Sequence, residues 1–330
     1  MKRILWIALV AFIVIGLIGV GTILSTQRPI NVAAYPESVI APRPAAPAAP
    51  IRLGFSIVPT ATAVAPEGAM FEGGSWLKRR TLAHSTVMIC HPRAFILFDT
   101  GLGRQIDSQF SDFPALTRTF FGGFQRLTPV ADVIARDHVC PGRPLIIIPS
   151  HLHWDHAGGI EDFPDAPVWV QSAELQQVHS GGVDQGFLQN EVDAASIQWR
   201  RLSFVDHPYE HFRQSRDIFG DGSLILVPMA GHTAGSVGLF ITVGGKRYFF
   251  TGDTSWALQG FSPPAHKFFA ARSIADLDPD QLAAEIVGVH RLMERDSDLT
   301  IIPAHDRAAY PAGGVYPQWI GTAGSGASPL

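Results

Sequence analysis

The chain has 330 residues, of which 46% are hydrophobic and 16% are charged, so it is long and apolar enough to bury one large core or two ordinary ones. Its 25 basic and 29 acidic residues give a formal charge of -4, which excludes the strongly basic surface that nucleic-acid binding requires. We therefore expect no nucleic-acid partner.

The first distinct segment is residues 4–24, an apolar run interrupted only by glycines and Thr22, with Lys2 and Arg3 before it. At about 1.5 Å per residue a helix of this length spans ~30 Å, the thickness of a bilayer core. The two basic residues favour a cytoplasmic N-terminus. Residues 1–27 are thus predicted to form a membrane anchor, with the rest of the chain outside the cytoplasm. A cleaved signal peptide, which would give a secreted protein, is the alternative.

Residues 28–50 are rich in proline and alanine, a composition that predicts an extended spacer. Residues 51–330 form the predicted globular domain. Within it, residues 86–90 and 94–98 are two β-rich runs separated by a short polar turn, which indicates a hairpin. Asp99 follows the second run. It is either a turn residue or the partner of a histidine ligand.

Residues 120–124 contain three phenylalanines and two glycines, so we expect no regular element there. Their rings either pack in the core or line a substrate pocket, and Phe121 is the candidate for the pocket. A short helix is predicted to begin after Thr128 and to continue through Asp137. Residues 145–148 are uniformly aliphatic and predict a buried strand.

The segment directly after that strand carries four potential metal ligands within six residues. His151 and His153 are two residues apart, so in an extended segment they point the same way and can chelate one ion. Asp155 and His156 then face a second position beside it. A single histidine would indicate little, but three of them with an aspartate, followed by two glycines, predict a metal site.

Later in the chain, three more β-rich runs each end at a residue of a type that binds metals. Residues 223–229 precede His232, residues 246–251 precede Asp253, and residues 299–304 precede His305. Strand-end loops collect functional groups because the sheet fixes where they begin. Between the last two of these runs, Asp278 is predicted to cap an amphipathic helix.

This order of motifs, His-x-His-x-Asp-His, then Gly-His-Thr, then Thr-Gly-Asp, then Ala-His, resembles the metallo-β-lactamase superfamily of dinuclear zinc hydrolases. The resemblance covers roughly residues 51–312. It implies an α/β fold in four layers, an αβ/βα sandwich of two sheets with helices outside and the metals at one edge.

Carried over to this chain, the resemblance implies two zinc ions, although Mn²⁺ or Fe²⁺ suits the same ligands. His151, His153 and His232 would hold the first ion. Asp155, His156 and His305 would hold the second, and Asp253 would bridge the two. A bridging hydroxide would then attack a carbonyl carbon, and Asp155 would act in catalysis by relaying a proton to the leaving group.

Departures from the family pattern bear on the substrate. An aspartate at position 253 is similar to the lactonase, glyoxalase II and phosphotriesterase-like branches, whereas zinc β-lactamases carry cysteine or serine near this point. Lactonases that cleave acyl-homoserine lactones typically carry tyrosine three residues later, where this chain has Trp256. We therefore predict hydrolysis of a small apolar lactone or ester. The alternatives are phosphoester or organophosphate hydrolysis, then glyoxalase II-like thioester or β-lactam hydrolysis. If the chain were a metal-binding domain without catalysis, we would expect some of these ligands to be missing.

The wall of the substrate pocket is predicted to include Trp256, together with Phe261 and His266 a few residues downstream. The remaining histidines match no motif and are expected to be structural or exposed: His84, His91, His138, His179, His207, His211 and His290. Cys90 and Cys140 are the only cysteines. We expect two separate buried thiols, with a disulfide as the alternative.

Overall fold

The computed structural model describes Gly16 and residues 28–37 and 52–322 of the chain. Its strands are β1 (Gly54–Pro66), β2 (Arg79–His91), β3 (Ala94–Phe98), β4 (Phe124–Arg126), β5 (Leu145–Ile148), β6 (Pro167–Val170), β7 (Gln198–Arg201), β8 (Arg216–Asp217), β9 (Leu224–Pro228), β10 (Val237–Val243), β11 (Lys246–Phe250), β12 (Leu299–Ile302) and β13 (Ile320–Gly321).

The α-helices in the described part of the chain are α1 (Glu67–Met70), α2 (Ile106–Phe110), α3 (Ala115–Phe121), α4 (Val130–Asp137), α5 (Trp154–Ala157), α6 (Ser172–Gly181), α7 (Gln189–Val192), α8 (Phe269–Ala275) and α9 (Pro279–Arg295). Short 3-10 helices occupy Val32–Ala34, Ile160–Asp162, Gly182–Gln185, Gly252–Thr254, Leu258–Gly260 and Arg307–Ala309.

Two β-sheets form the centre of the domain. The first runs in the order β13-β1-β2-β3-β5-β6-β7, with β4 paired to β1, and the second runs β12-β11-β10-β9-β8. The predicted hairpin is the antiparallel pair β2 and β3, and β3 continues in parallel with β5. In the second sheet β11 and β12 are parallel. The carboxyl ends of β3 and β5, and those of β11 and β12, therefore leave their sheets side by side.

Side chains along each strand alternate between the two sides of its sheet, and the side chains on the inner sides pack the two sheets face to face. In β9, Leu224 and Leu226 pack into the core between the sheets, whereas Ile225 and Val227 pack into the core beneath α9. Met88 and Cys90 of β2 turn to the opposite side of the first sheet, where α4 and α6 cover them. This arrangement of helix, sheet, sheet and helix confirms the predicted four-layer α/β sandwich.

Helix α9 illustrates how local sequence and packing agree. The Asp278 side chain accepts hydrogen bonds from the backbone amides of Asp280 and Gln281, and Pro279 occupies the first turn. Leu282 and Ile286 on its inner face are fully buried. The predicted cap and apolar face of this helix are confirmed.

One local prediction needs correction. Residues 120–124 were expected to lack regular structure, but α3 ends at Phe121 and β4 begins at Phe124, where it pairs with β1. The glycines occupy only the connection between the two elements. Residues 28–37, part of the predicted spacer, lie against the domain: Arg291 on α9 donates hydrogen bonds to the Val32 and Tyr35 carbonyl oxygens at 3.0 and 2.6 Å.

The predicted membrane-anchored, extracytoplasmic location is also corrected. In the part of the chain that the structure describes, no helix combines the length and the apolar composition needed to cross a membrane. The anchor predicted at residues 4–24 lies, apart from Gly16, outside the described residues.

Cys90 and Cys140 are joined by a disulfide, so the prediction of two separate thiols is wrong. Cys90 lies on β2 and Cys140 follows α4, and their Cα atoms are 5.9 Å apart. Both side chains are buried in the core that α4 and α6 cover. The helix packs back onto the sheet, which brings together two cysteines 50 residues apart in the sequence.

We expect the unreduced, denatured protein to expose no reactive thiol and to expose two after reduction. A bridge that closes a loop of 50 residues restricts the unfolded chain, which stabilises the fold by about 4 kcal/mol. The Cys90→Ala, Cys140→Ala double variant should therefore unfold at lower urea concentration. Thiol labelling checks the bond and urea unfolding checks its effect, and two reactive thiols before reduction would contradict the assignment.

Candidate metal centre

Three histidines form the first group of converging ligands. His151 and His153 follow β5, and His232 follows β9, so the two sheets contribute to one cluster. The His151 Nε2 atom lies 3.1 Å from His153 Nδ1 and 3.2 Å from His232 Nε2. All three rings are buried. Their ligand atoms lie within 4.8 Å of one another, close enough to hold one metal ion.

A second set of ligands lies beside the first and centres on Asp253, which follows β11. The Oδ1 atom of Asp253 is 3.3 Å from His156 Nε2 and 3.1 Å from His305 Nε2. Asp155 joins them, with its Oδ2 atom 3.4 Å from His305 Nε2. Asp253 also lies 3.6 Å from His232 Nε2 in the first group. This carboxylate therefore lies between the two sets.

The geometry around each histidine fixes which nitrogen faces the cluster. His305 Nδ1 donates to the Ala83 carbonyl oxygen at 3.0 Å, and His232 Nδ1 donates to the Asp276 carboxylate at 2.7 Å. His156 Nδ1 donates to Asp99 Oδ2 at 2.9 Å. With a proton on Nδ1, Nε2 is the nitrogen of each ring that faces the cluster and that can coordinate a cation once it carries no proton.

This donor set fits metal cations. The Nε2 atoms of His232 and His151, and those of His156 and His305, approach to 3.2 and 3.4 Å, so each pair can share a proton or jointly hold a cation. The Asp253 Oδ1 atom is buried and accepts no hydrogen bond in the described part of the chain. Imidazole nitrogens and carboxylate oxygens are the ligands that zinc and similar ions prefer.

The pKa values of the ligands show how the cluster is charged. Burial lowers the pKa of His151 and of His153 well below the ordinary value, which keeps these rings neutral and able to coordinate. Burial acts the same way on His156, but the carboxylates of Asp99, Asp253 and Asp155 outweigh it and raise the pKa of His156 well above the ordinary value. A cation that binds here must displace that proton.

Asp99 performs both of the roles that the sequence left open. Its backbone adopts the left-handed conformation, with φ of 59°, in the turn that ends β3. Its side chain accepts the Ser150 backbone amide at 2.6 Å and His156 Nδ1 at 2.9 Å. The turn therefore places a carboxylate where it orients one of the ligands.

Glu174, which the sequence gave no reason to select, ties two ligand-bearing loops together. Its side chain is fully buried on α6. One carboxylate oxygen accepts the Leu152 amide and the other accepts the Gly235 amide, each at 2.8 Å. The loop of His151 and the loop of His232 are thus held at a fixed separation. A lone glutamate in a helix carries no spacing signal that could have revealed this.

His84 was expected to be structural, but it lies in the site. It is on β2, and its Nδ1 atom is 2.8 Å from Asp155 Oδ2. The ligand atoms of His84, Asp155 and His305 lie within 4.8 Å of one another. His84 also lines the cavity above the metal ligands. Only the pairing of distant segments brings it there, so no local motif marks it.

A cavity of about 410 Å³ opens directly over the ligand groups. His153, Asp155, His232, Asp253 and His305 form its polar floor. The walls are mainly apolar and include Val64, Met70, Trp76, Leu82, Phe268 and Ile274. A molecule that reaches these candidate ligands would therefore contact an apolar surface over most of its length.

Two of the four predicted pocket residues line this cavity and two do not. Trp256 and Phe121 are in its wall. Phe261 is fully buried in the core between the second sheet and α9, because the 3-10 turn Leu258–Gly260 redirects the chain. His266 is half-buried and lies outside the cavity lining, and its carbonyl oxygen accepts the Glu72 amide. The predictions for Phe261 and His266 are corrected accordingly.

The model of the family described as the metallo-beta-lactamase superfamily matches residues 79–305. Among curated proteins, a probable metallo-hydrolase of Mycobacterium tuberculosis is 30% identical over 178 residues, which is 50% of this chain and 55% of that protein. An N-acyl homoserine lactonase, AttM of Rhizobium radiobacter, is 26% identical over 170 residues, 50% of this chain and 59% of that protein. The match thus spans little more than half the length of these relatives.

Solved structures show similarity of fold at lower identity. AiiA of B. thuringiensis, in a structure with N-decanoyl-L-homoserine bound at the active site, has a TM-score of 0.63 and 19% identity, covering 82% of this chain and all of that one. AidC, described as a dizinc quorum-quenching lactonase, has a TM-score of 0.55 and 15% identity, covering 83% of this chain and 91% of that one. Identities this low support the fold alone.

Proposed function

The chain belongs to the metallo-beta-lactamase superfamily, and from this membership and the geometry of the ligand groups we propose that it is a metal-dependent hydrolase of an apolar lactone or ester. The observation that carries the proposal is the cavity of about 410 Å³, in which mainly apolar walls end on a floor of metal ligands. In such a site the walls would bind the apolar part of a substrate, and the bond to be cleaved would lie at the floor.

We assign His151, His153 and His232 to one metal ion, and Asp155, His156 and His305 to a second, with Asp253 between them. Zinc is the proposed metal, and Mn²⁺ or Fe²⁺ would suit the same ligands. Two such cations, when bound, would acidify a shared water and polarise a substrate carbonyl.

Residues of the chain itself would transfer the proton and exclude water. The His84 ring orients the Asp155 carboxylate from one side, and Asp155 lines the cavity, so we propose that Asp155 takes up the proton that the attacking water loses and passes it to the leaving oxygen. The apolar walls exclude bulk water from the reacting bond, which strengthens the electrostatic interactions at the cavity floor.

A carbonyl substrate is favoured because relatives in both comparisons are described as lactonases acting on N-acyl homoserine compounds. The second candidate is a phosphoester or organophosphate, since the same centre would attack phosphorus. Thioesters and β-lactams follow as further alternatives.

The test measures hydrolysis by the zinc-loaded, full-length chain on N-acyl lactones of increasing acyl length, aryl esters, phosphotriesters, thioesters and β-lactams. We expect kcat/KM to be highest for lactones or esters and to rise with chain length, because each buried methylene contributes about 0.8 kcal/mol. Chelation should abolish the activity and zinc should restore it.

Phe121→Ala serves as the matched control, because it enlarges the cavity at a wall residue that is not one of the assigned ligands. It should reduce the preference for long chains while leaving zinc content at the wild-type value. Hydrolysis confined to phosphotriesters would replace the proposal with the second candidate, and activity that persists in the chelated protein would refute metal dependence.

A further inference from the structure

Trp256 makes a direct contact with a metal ligand as well as lining the cavity. Its indole Nε1 donates a hydrogen bond to Asp253 Oδ2 at 2.7 Å. The ring is half-buried in the cavity wall, and its centroid lies 6.1 Å from that of His305. An indole has a single N–H donor, so this bond leaves none for a substrate carbonyl.

The bond restricts the carboxylate that lies between the two ligand groups. Asp253 belongs to the 3-10 turn Gly252–Thr254, and rotation of its side chain would move both oxygens relative to His156, His232 and His305. The indole holds Oδ2 and leaves Oδ1 directed at His156 and His305. A carboxylate oxygen has a second lone pair, so a donor on Oδ2 still permits coordination by that atom.

A buried ammonium lies behind the indole ring. Lys267 Nζ is 5.8 Å from the centroid of the Trp256 ring, within the range of a cation–π interaction. The same Nζ is 2.7 Å from Asp276, which accepts His232 Nδ1. A positive charge over the ring draws electron density away from the N–H group, which makes it a stronger donor to Asp253. Lys267 therefore strengthens the hydrogen bond that Trp256 Nε1 donates to Asp253 Oδ2.

We propose that Trp256 is a positioning residue of the metal centre, which holds the Asp253 carboxylate in the orientation that binds metal. This inference rests on the proposed metal-dependent function. It means that a residue of the cavity wall also helps to retain the metal. A residue that served only as a wall would affect substrate affinity and leave metal affinity unchanged.

The experiment compares zinc affinity of the wild type, Trp256→Phe and Phe268→Leu by competition with a chromogenic chelator. Trp256→Phe keeps an aromatic wall and removes the N–H donor, so it should weaken zinc binding by roughly 10- to 100-fold, the usual effect of losing a hydrogen-bond partner of a ligand. Phe268→Leu alters the same wall at a ring that packs on Trp76 and Phe269, so its zinc affinity should equal that of the wild type.

A second variant keeps the test decisive if Trp256→Phe folds poorly. A 3-benzothienylalanine at position 256 has nearly the shape of tryptophan and lacks only the N–H group. Weakened zinc affinity in this variant supports the positioning role, and wild-type affinity overturns it. Because the readout is zinc binding, the result is separate from the choice of substrate: failure of the proposed function would appear as no hydrolysis by zinc-loaded wild-type protein.

Discussion

Replacing Asp253 by alanine is expected to remove the bound metal and the hydrolytic activity together. Asp253 is buried, and its oxygens lie 3.1 to 3.6 Å from Nε2 atoms of His156, His232 and His305. Without the carboxylate, two cations held side by side would lose their shared negative ligand and repel each other. Loss of about 4 kcal/mol of transition-state stabilisation corresponds to roughly a thousandfold fall in kcat/KM.

The measurement is metal content per chain by mass spectrometry, together with kcat/KM on the best lactone or ester. Asp165→Ala is the matched control, because Asp165 is an exposed aspartate away from the ligand set. It should keep the metal content and activity of the wild type. An Asp253→Ala protein that retains two tightly bound metals would refute the assignment of Asp253 to a position between them.

The part of the site that could be predicted is the part encoded locally. His151, His153, Asp155 and His156 fall within six residues after an aliphatic strand, so chelation follows from side-chain direction and short spacing. His232, Asp253 and His305 each follow a β-rich run, and the resemblance to the family is what assigned them to the metal site. The structure brings these positions together because the strands that precede them end at one edge of the sandwich.

The partners of the ligands could not be predicted, because they depend on contacts between distant segments. His84 meets Asp155 across 71 residues, and Asp276 meets His232 across 44. Neither has a motif of its own, and a histidine or aspartate alone is far more often structural. The disulfide between Cys90 and Cys140 has the same origin, since helix packing decides which cysteines meet.

Trp256 and Phe261 show how a single turn changes the outcome. Both were predicted to line the pocket because both follow Asp253 closely. Trp256 remains beside the cavity, whereas the 3-10 turn Leu258–Gly260 redirects the chain before Phe261 and places its ring in the core under α9. Proximity to Asp253 in the sequence was therefore enough to predict the region of the pocket. The direction of the backbone determines that Trp256 lines it and Phe261 does not.

The second large effect is expected at Lys267, whose side chain is fully buried beside the metal centre. Its Nζ lies 2.7 Å from Asp276 Oδ1, and neither side chain has any exposed surface. Burial raises the pKa of Asp276, but Lys267 outweighs this and, with His232, keeps that pKa below its ordinary value. Lys267→Met leaves a buried carboxylate with only His232 as donor, so the free energy of unfolding should fall by about 3 to 5 kcal/mol.

Urea unfolding of the metal-free protein measures this loss without a contribution from metal binding. The double variant Lys267→Met, Asp276→Asn is the control, because it removes both charges and keeps an oxygen that can accept the His232 proton. Its stability should return to within about 1 to 2 kcal/mol of the wild type, since a buried ion pair and a neutral pair of similar volume often differ little. A Lys267→Met variant as stable as the wild type would show that Lys267 does not compensate the buried charge of Asp276.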